Sequence, residues 1–178
     1  MKELSLNILD IAKNSVSADA NIIKIELIEN NEVLIMKISD NGCGMTKDFL
    51  ATVSDPFSTT RTTRKVGMGI PLLKLAAEQC GGKFSIKSVH KSESENHGTE
   101  IEAEFNKNNI DYTPLGDIVS TVVTLIQGNP EIRWIFTHKK GEKEIQLDTD
   151  ELKAVLGDLP VNNTEVLFWI KEYLAQMY

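Results

Sequence analysis

Apolar residues recur at helical spacing in the first stretch of the chain. Leu4, Ile8, Ile11 and Leu9, Ala12, Val16 make one broad apolar face, which predicts an amphipathic helix over residues 3–18. The period then drops to two. Ile23, Ile25 and Leu27 alternate with Lys24 and Glu26, predicting a strand with one face on a core, and Glu29-Asn30-Asn31-Glu32 reads as a turn. Val33 to Ser39 (VLIMKIS) is nearly all apolar and predicts a central strand. A short helix is expected from Thr46 to Val53, capped by the Thr46 hydroxyl. Helical spacing returns from Gly67 through Leu72, Leu73, Leu75, Ala76 and Gln79, and Gly81-Gly82 ends it. Two further alternating stretches, 83–89 and 98–105, flank a polar loop, HKSESEN. Helices mixed with mostly antiparallel strands in this order imply an α+β fold, a two-layer α/β sandwich.

Asn106-Lys107-Asn108-Asn109 is a polar break, taken as the boundary between a first domain, 1–106, and a C-terminal extension, 107–178. Beyond it, an amphipathic helix is predicted from Leu115 to Gln127, with Gly128-Asn129-Pro130 as its stop. A hairpin follows, Ile132–Thr137 and Lys143–Leu147 around Lys140-Gly141, then helices over Thr149–Leu156 and Thr164–Met177. The expectation is a small αββαα module, either a partner-binding element or a stabilising extension. Trp134, Phe136, Phe168 and Trp169 are all expected in the core.

Composition narrows the function more than the fold. The chain has 178 residues with 41% hydrophobic and 25% charged, as in an ordinary soluble globular protein, and its net charge is -7. An acidic balance argues against non-specific binding to nucleic acid. No apolar run reaches the length of a membrane span, and MKELSLNILD lacks a basic head and an apolar signal core, so no membrane contact and a cytoplasmic location are expected. Two cysteines, Cys43 and Cys80, are too few for a disulfide framework or a cysteine metal site.

Three places carry candidate chemistry. Between Pro56 and Ala77 there is no acid, while Arg61, Arg64, Lys65 and Lys74 all fall there. This cationic stretch runs into Gly67-Met68-Gly69 at a helix start, where close backbone approach, free N–H groups and the positive end of the helix dipole suit an anion such as phosphate. Asp10 and Asn14 lie four apart on the first helix, so both point the same way from an otherwise apolar region. Asp40 closes the central strand and is followed by Gly42 and Gly44. Its carboxylate can accept from an exocyclic amine, and the glycines clear room for a flat ring.

Asp10-x-x-x-Asn14, Asp40-x-Gly42-x-Gly44, Gly67-x-Gly69 at a helix start and Gly98-Thr99 at a strand start fall in one order. That set resembles the ATP-binding superfamily shared by DNA gyrase, heat-shock chaperones, histidine kinases and MutL, the GHKL superfamily, over roughly Leu4 to Phe105. DPFSTTR with GMGIPLLKLAAEQCGG is similar to histidine-kinase catalytic domains, and the NSV and DNGCGM pieces are similar to MutL. The resemblance implies a Bergerat-type fold with ATP and Mg²⁺ as cofactors. Asn14 would coordinate Mg²⁺, Asp40 would accept from the adenine amine with Thr99 in support, and Gly42 and Gly44 would lie against the base. Gly67, Met68 and Gly69, with Arg61, would serve the phosphates. Asp10 stands where the gyrase and MutL ATPases carry a water-activating glutamate, and it is one methylene shorter.

Lys65 and Val66 replace the first glycine of the kinase pattern, the segment between Pro56 and Gly67 is short, and none of His90, His97 and His138 lies on a predicted helix beside an acid. The resemblance therefore implies a kinase-like protein that acts in trans on a protein acceptor, similar to anti-sigma serine kinases or a detached kinase domain. The alternatives are a slow ATPase switch through Asp10, acting on a partner or a second copy of the chain as a homodimer, and a non-catalytic nucleotide sensor.

Overall fold

The structure is a computed structural model that describes residues 2–54 and 68–178. The first helix, α1 (Leu4–Ser17), leads into a hairpin of β1 (Ile22–Glu29) and β2 (Val33–Asp40). Next come the short α2 (Lys47–Thr52), α3 (Gly69–Gln79), and a second hairpin of β3 (Lys83–Val89) and β4 (Gly98–Asn106). The stretch read from sequence as αββαα forms α4 (Ile118–Gly128), β5 (Arg133–Lys140), β6 (Lys143–Asp148), α5 (Thr149–Leu156) and α6 (Thr164–Ala175). Among the described residues, all strands share one six-stranded sheet in the order β3-β4-β2-β1-β5-β6. Its pairs are antiparallel except β1 with β5, which run parallel from Ile22 opposite Arg133 to Glu29 opposite Lys140.

The alternation read from the sequence sets which face is covered. Ile23, Ile25 and Leu27 on β1 face the same way as Leu34, Met36 and Ile38 on β2, Ile101, Ala103 and Phe105 on β4, and Trp134 and Phe136 on β5, and all are buried. Helices α1, α3 and α4 lie on this side, with α1 between the other two and α6 against α4. The opposite face carries cross-strand charge pairs, Lys37–Glu100 at 3.1 Å among them. Burying one Leu or Ile contributes about 1.5–3 kcal/mol, whereas an exposed ion pair contributes about 0–1 kcal/mol. The covered face therefore fixes the register.

Several boundaries differ from the periodicity for local reasons. The Thr46 hydroxyl caps α2 by accepting from the Phe49 N–H, as expected. Helix α4 starts at Ile118, not Leu115. The Leu115 carbonyl instead accepts from Ser5 N–H (2.8 Å), Gly116 turns with φ +75°, and the Asp117 carboxylate caps the helix by accepting from Ser120 N–H (2.9 Å). With Leu4 N–H to the Pro114 carbonyl at 2.9 Å, the same segment satisfies the start of α1, which has no side-chain cap. Trp134 and Phe136 are core residues, but Phe168 is 65% and Trp169 50% exposed, which corrects the expectation that all four aromatics are buried.

One polar cluster sits on the covered face, at the end of the sheet away from Asp40. His138 is fully buried between Glu29 (Nε2 to Oε1, 3.2 Å) and Tyr178 (Nδ1 to the hydroxyl, 2.5 Å). A carboxylate only accepts, so Nε2–H donates to Glu29, and Nδ1 accepts from the Tyr178 hydroxyl. Lys107 (2.7 Å) and Lys140 (3.3 Å) complete the Glu29 shell. Burial lowers the His138 pKa below its ordinary 6.5, and this outweighs the raising effect of Glu29. Burial raises the Glu29 pKa, but the hydrogen bond and charge of Lys107, with Lys140, outweigh that and leave it lowered.

Both shifts have the same sign for stability. The unfolded chain binds these protons more readily than the folded chain, so acid favours unfolding. The His138 contribution is present above about pH 6.5 and falls as pH drops through the depressed folded value. The Glu29 contribution follows below about pH 4.3. Thermal unfolding from pH 8 to 4 is expected to show Tm falling from near pH 6.5, and His138→Gln is expected to flatten the decline between pH 6.5 and 5. An unchanged pH profile in that variant would remove His138 as its source.

Candidate functional site

The chain folds its candidate residues onto one end of the sheet. Helix α1 carries Asp10, Asn14 and Ser15 there, and β2 ends at Asp40, opposite Thr99 of β4. The Asp40 carboxylate is held from three directions. Oδ2 accepts from the Ser15 hydroxyl at 2.5 Å, and Oδ1 accepts from the Gly42 N–H at 2.9 Å and the Thr99 N–H at 3.3 Å. A carboxylate fixed by charge-assisted bonds at a strand end is an aimed acceptor rather than a mobile surface acid.

The turn after Asp40 is docked on the end of α1, where the Ala18 carbonyl accepts from the Cys43 N–H at 2.8 Å. This tight contact accounts for both glycines. A Cβ on Gly42 would lie 2.7 Å from the Ala18 oxygen, and one on Gly44 (φ +67°) would lie 1.9 Å from the Val89 oxygen. What demands glycine at both positions is the chain's own backbone. The Gly42 carbonyl accepts from His97 Nδ1. Ser88, at the end of β3, accepts from the Met45 N–H (2.8 Å) and bonds the Thr99 hydroxyl (2.8 Å), tying the far side of the turn to β4.

The other half of the site is the start of α3. Met68 is its N-terminal flanking residue and is 51% exposed, and Gly69 is its first residue and buried. A Cβ on Gly69 would lie 3.0 Å from the Asp10 Cβ and 3.8 Å from its Oδ2, so a side chain there would press into Asp10. The Asp10 carboxylate thus stands at a helix N-terminus, where free N–H groups and the dipole gather. One turn along α1, the Asn14 Nδ2 is buried with no hydrogen-bond partner among the described residues. Arg61 and Gly67 lie outside the described residues.

Asp10, Asn14, Asp40, Gly42, Gly44, Met68, Gly69 and Thr99 therefore all lie along one rim formed by α1, the β2 turn and the α3 start. Ser15, Ser88 and His97 belong to it as well and were missed in the sequence. Two of them left a trace. Ser15 is a polar residue in phase with the apolar stripe Leu4, Ile8, Ile11 and Ala12, and Ser88 is in phase with Phe84 and Ile86. His97 left none.

Residues 1–109 match the family model described as histidine kinase-, DNA gyrase B-, and HSP90-like ATPase. The cell-division control histidine kinase PdhS of Brucella anthropi is 26% identical over 118 residues, which span 59% of this chain and 11% of that protein. The sensor protein KdpD of Clostridium acetobutylicum is 30% identical over 96 residues, spanning 51% of this chain and 10% of that protein. The chain thus covers about a tenth of the length of these curated relatives. The Aquifex aeolicus MutL ATPase domain, solved in complex with ADP, superposes over 100% of this chain and 89% of its own, with a TM-score of 0.55 and 14% identity. That likeness concerns the fold. Among the described residues, no helix is long and apolar enough to cross a membrane.

The glycine geometry yields an internal comparison. Gly42→Ala is expected to lower unfolding stability by about 1–3 kcal/mol through overpacking against Ala18. Gly128, at the end of α4, has nothing within 4 Å of its Cβ position. Gly128→Ala is expected to be neutral or stabilising by up to about 1 kcal/mol. Urea unfolding of the two variants checks this, and equal effects would count against a steric demand at Gly42.

Proposed function

The chain belongs to the histidine kinase-, DNA gyrase B- and HSP90-like ATPase family, an ATP-binding family, and from that premise we propose that it binds Mg-ATP at the α1–β2–α3 rim and acts in trans as a kinase-like regulator. The observation that carries the binding reading is the buried Asn14 Nδ2, a donor with no hydrogen-bond partner among the described residues, which an oxygen of a bound ligand would satisfy. A buried polar group without a partner costs about 1–3 kcal/mol, and a ligand at the site relieves that cost. Asn14 would hold Mg²⁺ through its side-chain oxygen, since the metal takes few protein ligands and keeps water and phosphate oxygens for the rest. When bound, the metal neutralises phosphate charge.

The other roles follow from geometry and donor chemistry. Asp40, clamped as an acceptor by Ser15, Gly42 and Thr99, would read the adenine amine. The α3 start, with Met68 and Gly69 and the Arg61 and Gly67 segment before it, would receive the phosphates. Transfer to an outside protein acceptor is supported by the state of the chain's own histidines. His90 bonds Ser92, His97 bonds Gly42, and His138 is buried against Glu29. None of them stands free on a helix. The acceptor would be a cytoplasmic protein partner.

One observation favours a second reading, a slow ATPase switch. The Asp10 carboxylate reaches the α3 N-terminus beside Gly69, a position from which it could orient water. General-base assistance of this kind contributes roughly 10²–10⁴ in rate.

Two measurements separate these claims. Asp40→Asn places an amide donor toward the adenine amine and is expected to weaken ATP binding by about 1–3 kcal/mol; calorimetry showing unchanged affinity would remove the adenine role. Asn14→Ala should lose Mg²⁺-dependent affinity while keeping metal-free affinity, and equal loss in both would remove it from the metal. The second measurement is phosphate release from Mg-ATP. If the native chain turns over and Asp10→Asn binds ATP without turnover, the switch is favoured. If both bind and neither releases phosphate, hydrolysis without a partner is excluded, leaving transfer to a protein acceptor or a nucleotide sensor.

A further inference from the structure

Helix α6 carries an organised surface that takes no part in the nucleotide rim. At about 100° per residue, Val166, Leu167, Ile170 and Leu174 occupy the arc turned into the core, and all four are buried. The opposite arc runs in order through Phe168, Glu172, Glu165, Trp169 and Tyr173. Phe168 is 65% and Trp169 50% exposed. Two acids one above the other, about 10 Å apart along the axis by the helical rise, are thus flanked on both sides by aromatic rings.

The platform is set in place before any partner arrives. The Trp169 and Tyr173 rings stack with centroids 5.3 Å apart and planes 5° from parallel. Tyr173 donates its hydroxyl to the Gln146 carbonyl on β6 at 2.8 Å, which anchors the pair to the sheet. Glu165 and Glu172 have no ion-pair partner among the described residues. From Asp148 to Tyr178 the chain holds six acids and two lysines; Asp148 and Asp150 pair with Arg133, which leaves Glu151, Asp158, Glu165 and Glu172. Lys153 faces Asp150 at 3.4 Å, and Lys171 lies off the aromatic arc with its charge toward Asp117.

From this juxtaposition we propose that the exposed arc of α6 is a docking surface for a basic amphipathic segment of a partner protein. Arginine fits it best. A planar guanidinium stacks on an indole face and pairs with a carboxylate at the same time, which a compact ammonium does less well. Apolar residues on the same segment would cover Phe168. The acids select against an acidic or purely apolar occupant and against anionic lipid surfaces.

The test uses the full chain and a capped helical peptide with leucines along one face and arginines on both flanks, beside a counterpart with glutamate for every arginine. Trp134 is 2% exposed and Trp169 half exposed, so a change in tryptophan emission on binding reports Trp169. The arginine peptide is expected to shift that emission saturably and to shield it from acrylamide. Glu165→Lys with Glu172→Lys should weaken binding at least tenfold. Glu93→Lys with Glu95→Lys, the same charge change on the exposed β3–β4 loop, should alter it less than twofold. Phe168→Ala, a surface change that leaves the core intact, should weaken it severalfold.

Equal loss in both charge variants would overturn the proposal in favour of general attraction to an acidic chain. Equal binding of the glutamate peptide would overturn it in favour of apolar contact alone. Sedimentation as a dimer with Trp169 already shielded would assign the face to a second copy of the chain.

Discussion

The fixed carboxylate of Asp40 is the constraint on which the candidate site is built. Three donors from three parts of the chain converge on it: a hydroxyl from α1, the N–H of the turn that follows it, and the N–H that opens the β4 pairing. The first can reach it only if α1 lies across the end of β2. The last requires Thr99 in register with Asp40. One acid therefore couples the helix that carries Asp10 and Asn14 to the strands that define the other wall. The tight fit of Gly42 against Ala18 follows from the same docking.

Much of this was legible in the sequence because two signals reinforced each other. Period-two alternation located the strands, and short polar motifs fell where the strands and helices ended, so Asp40 could be placed at a strand end and Asn14 on a helix face. Partnerships across the chain were not legible. Ser15 reads as one more serine in NSVS, and its bond to Asp40 spans 25 positions. Gly42 and Gly44 looked like space left for a ring, whereas their absent side chains answer to backbone packing, which composition does not reveal. Leu115 fits the α4 pattern, yet its carbonyl is claimed by Ser5.

The aromatic residues of α6 show where periodicity ends as a guide. In VLFWI every position is apolar, so the run covers the full circumference of the helix and its pattern does not say which arc turns inward. Packing on α4 makes that choice, and it leaves Phe168 and Trp169 outside. The outcome is a chain with two differently made ends: a polar, donor-rich rim beside α3, and an aromatic and acidic face on α6, joined through one sheet.

The parallel pairing of β1 with β5 has a consequence for synthesis. β1 waits for its second neighbour through about 110 residues, from Ile22 to Arg133. At translation rates of about 5–20 residues per second, the wait is roughly 5 to 20 s. All the residues of the candidate rim precede Asn106, so they are made before Arg133, while β1 still presents an unpaired edge beside an apolar row. Open edges of this kind recruit strands from other chains. The β1 edge therefore stays open on the ribosome after the candidate rim residues are made and until β5, the strand that covers it, follows.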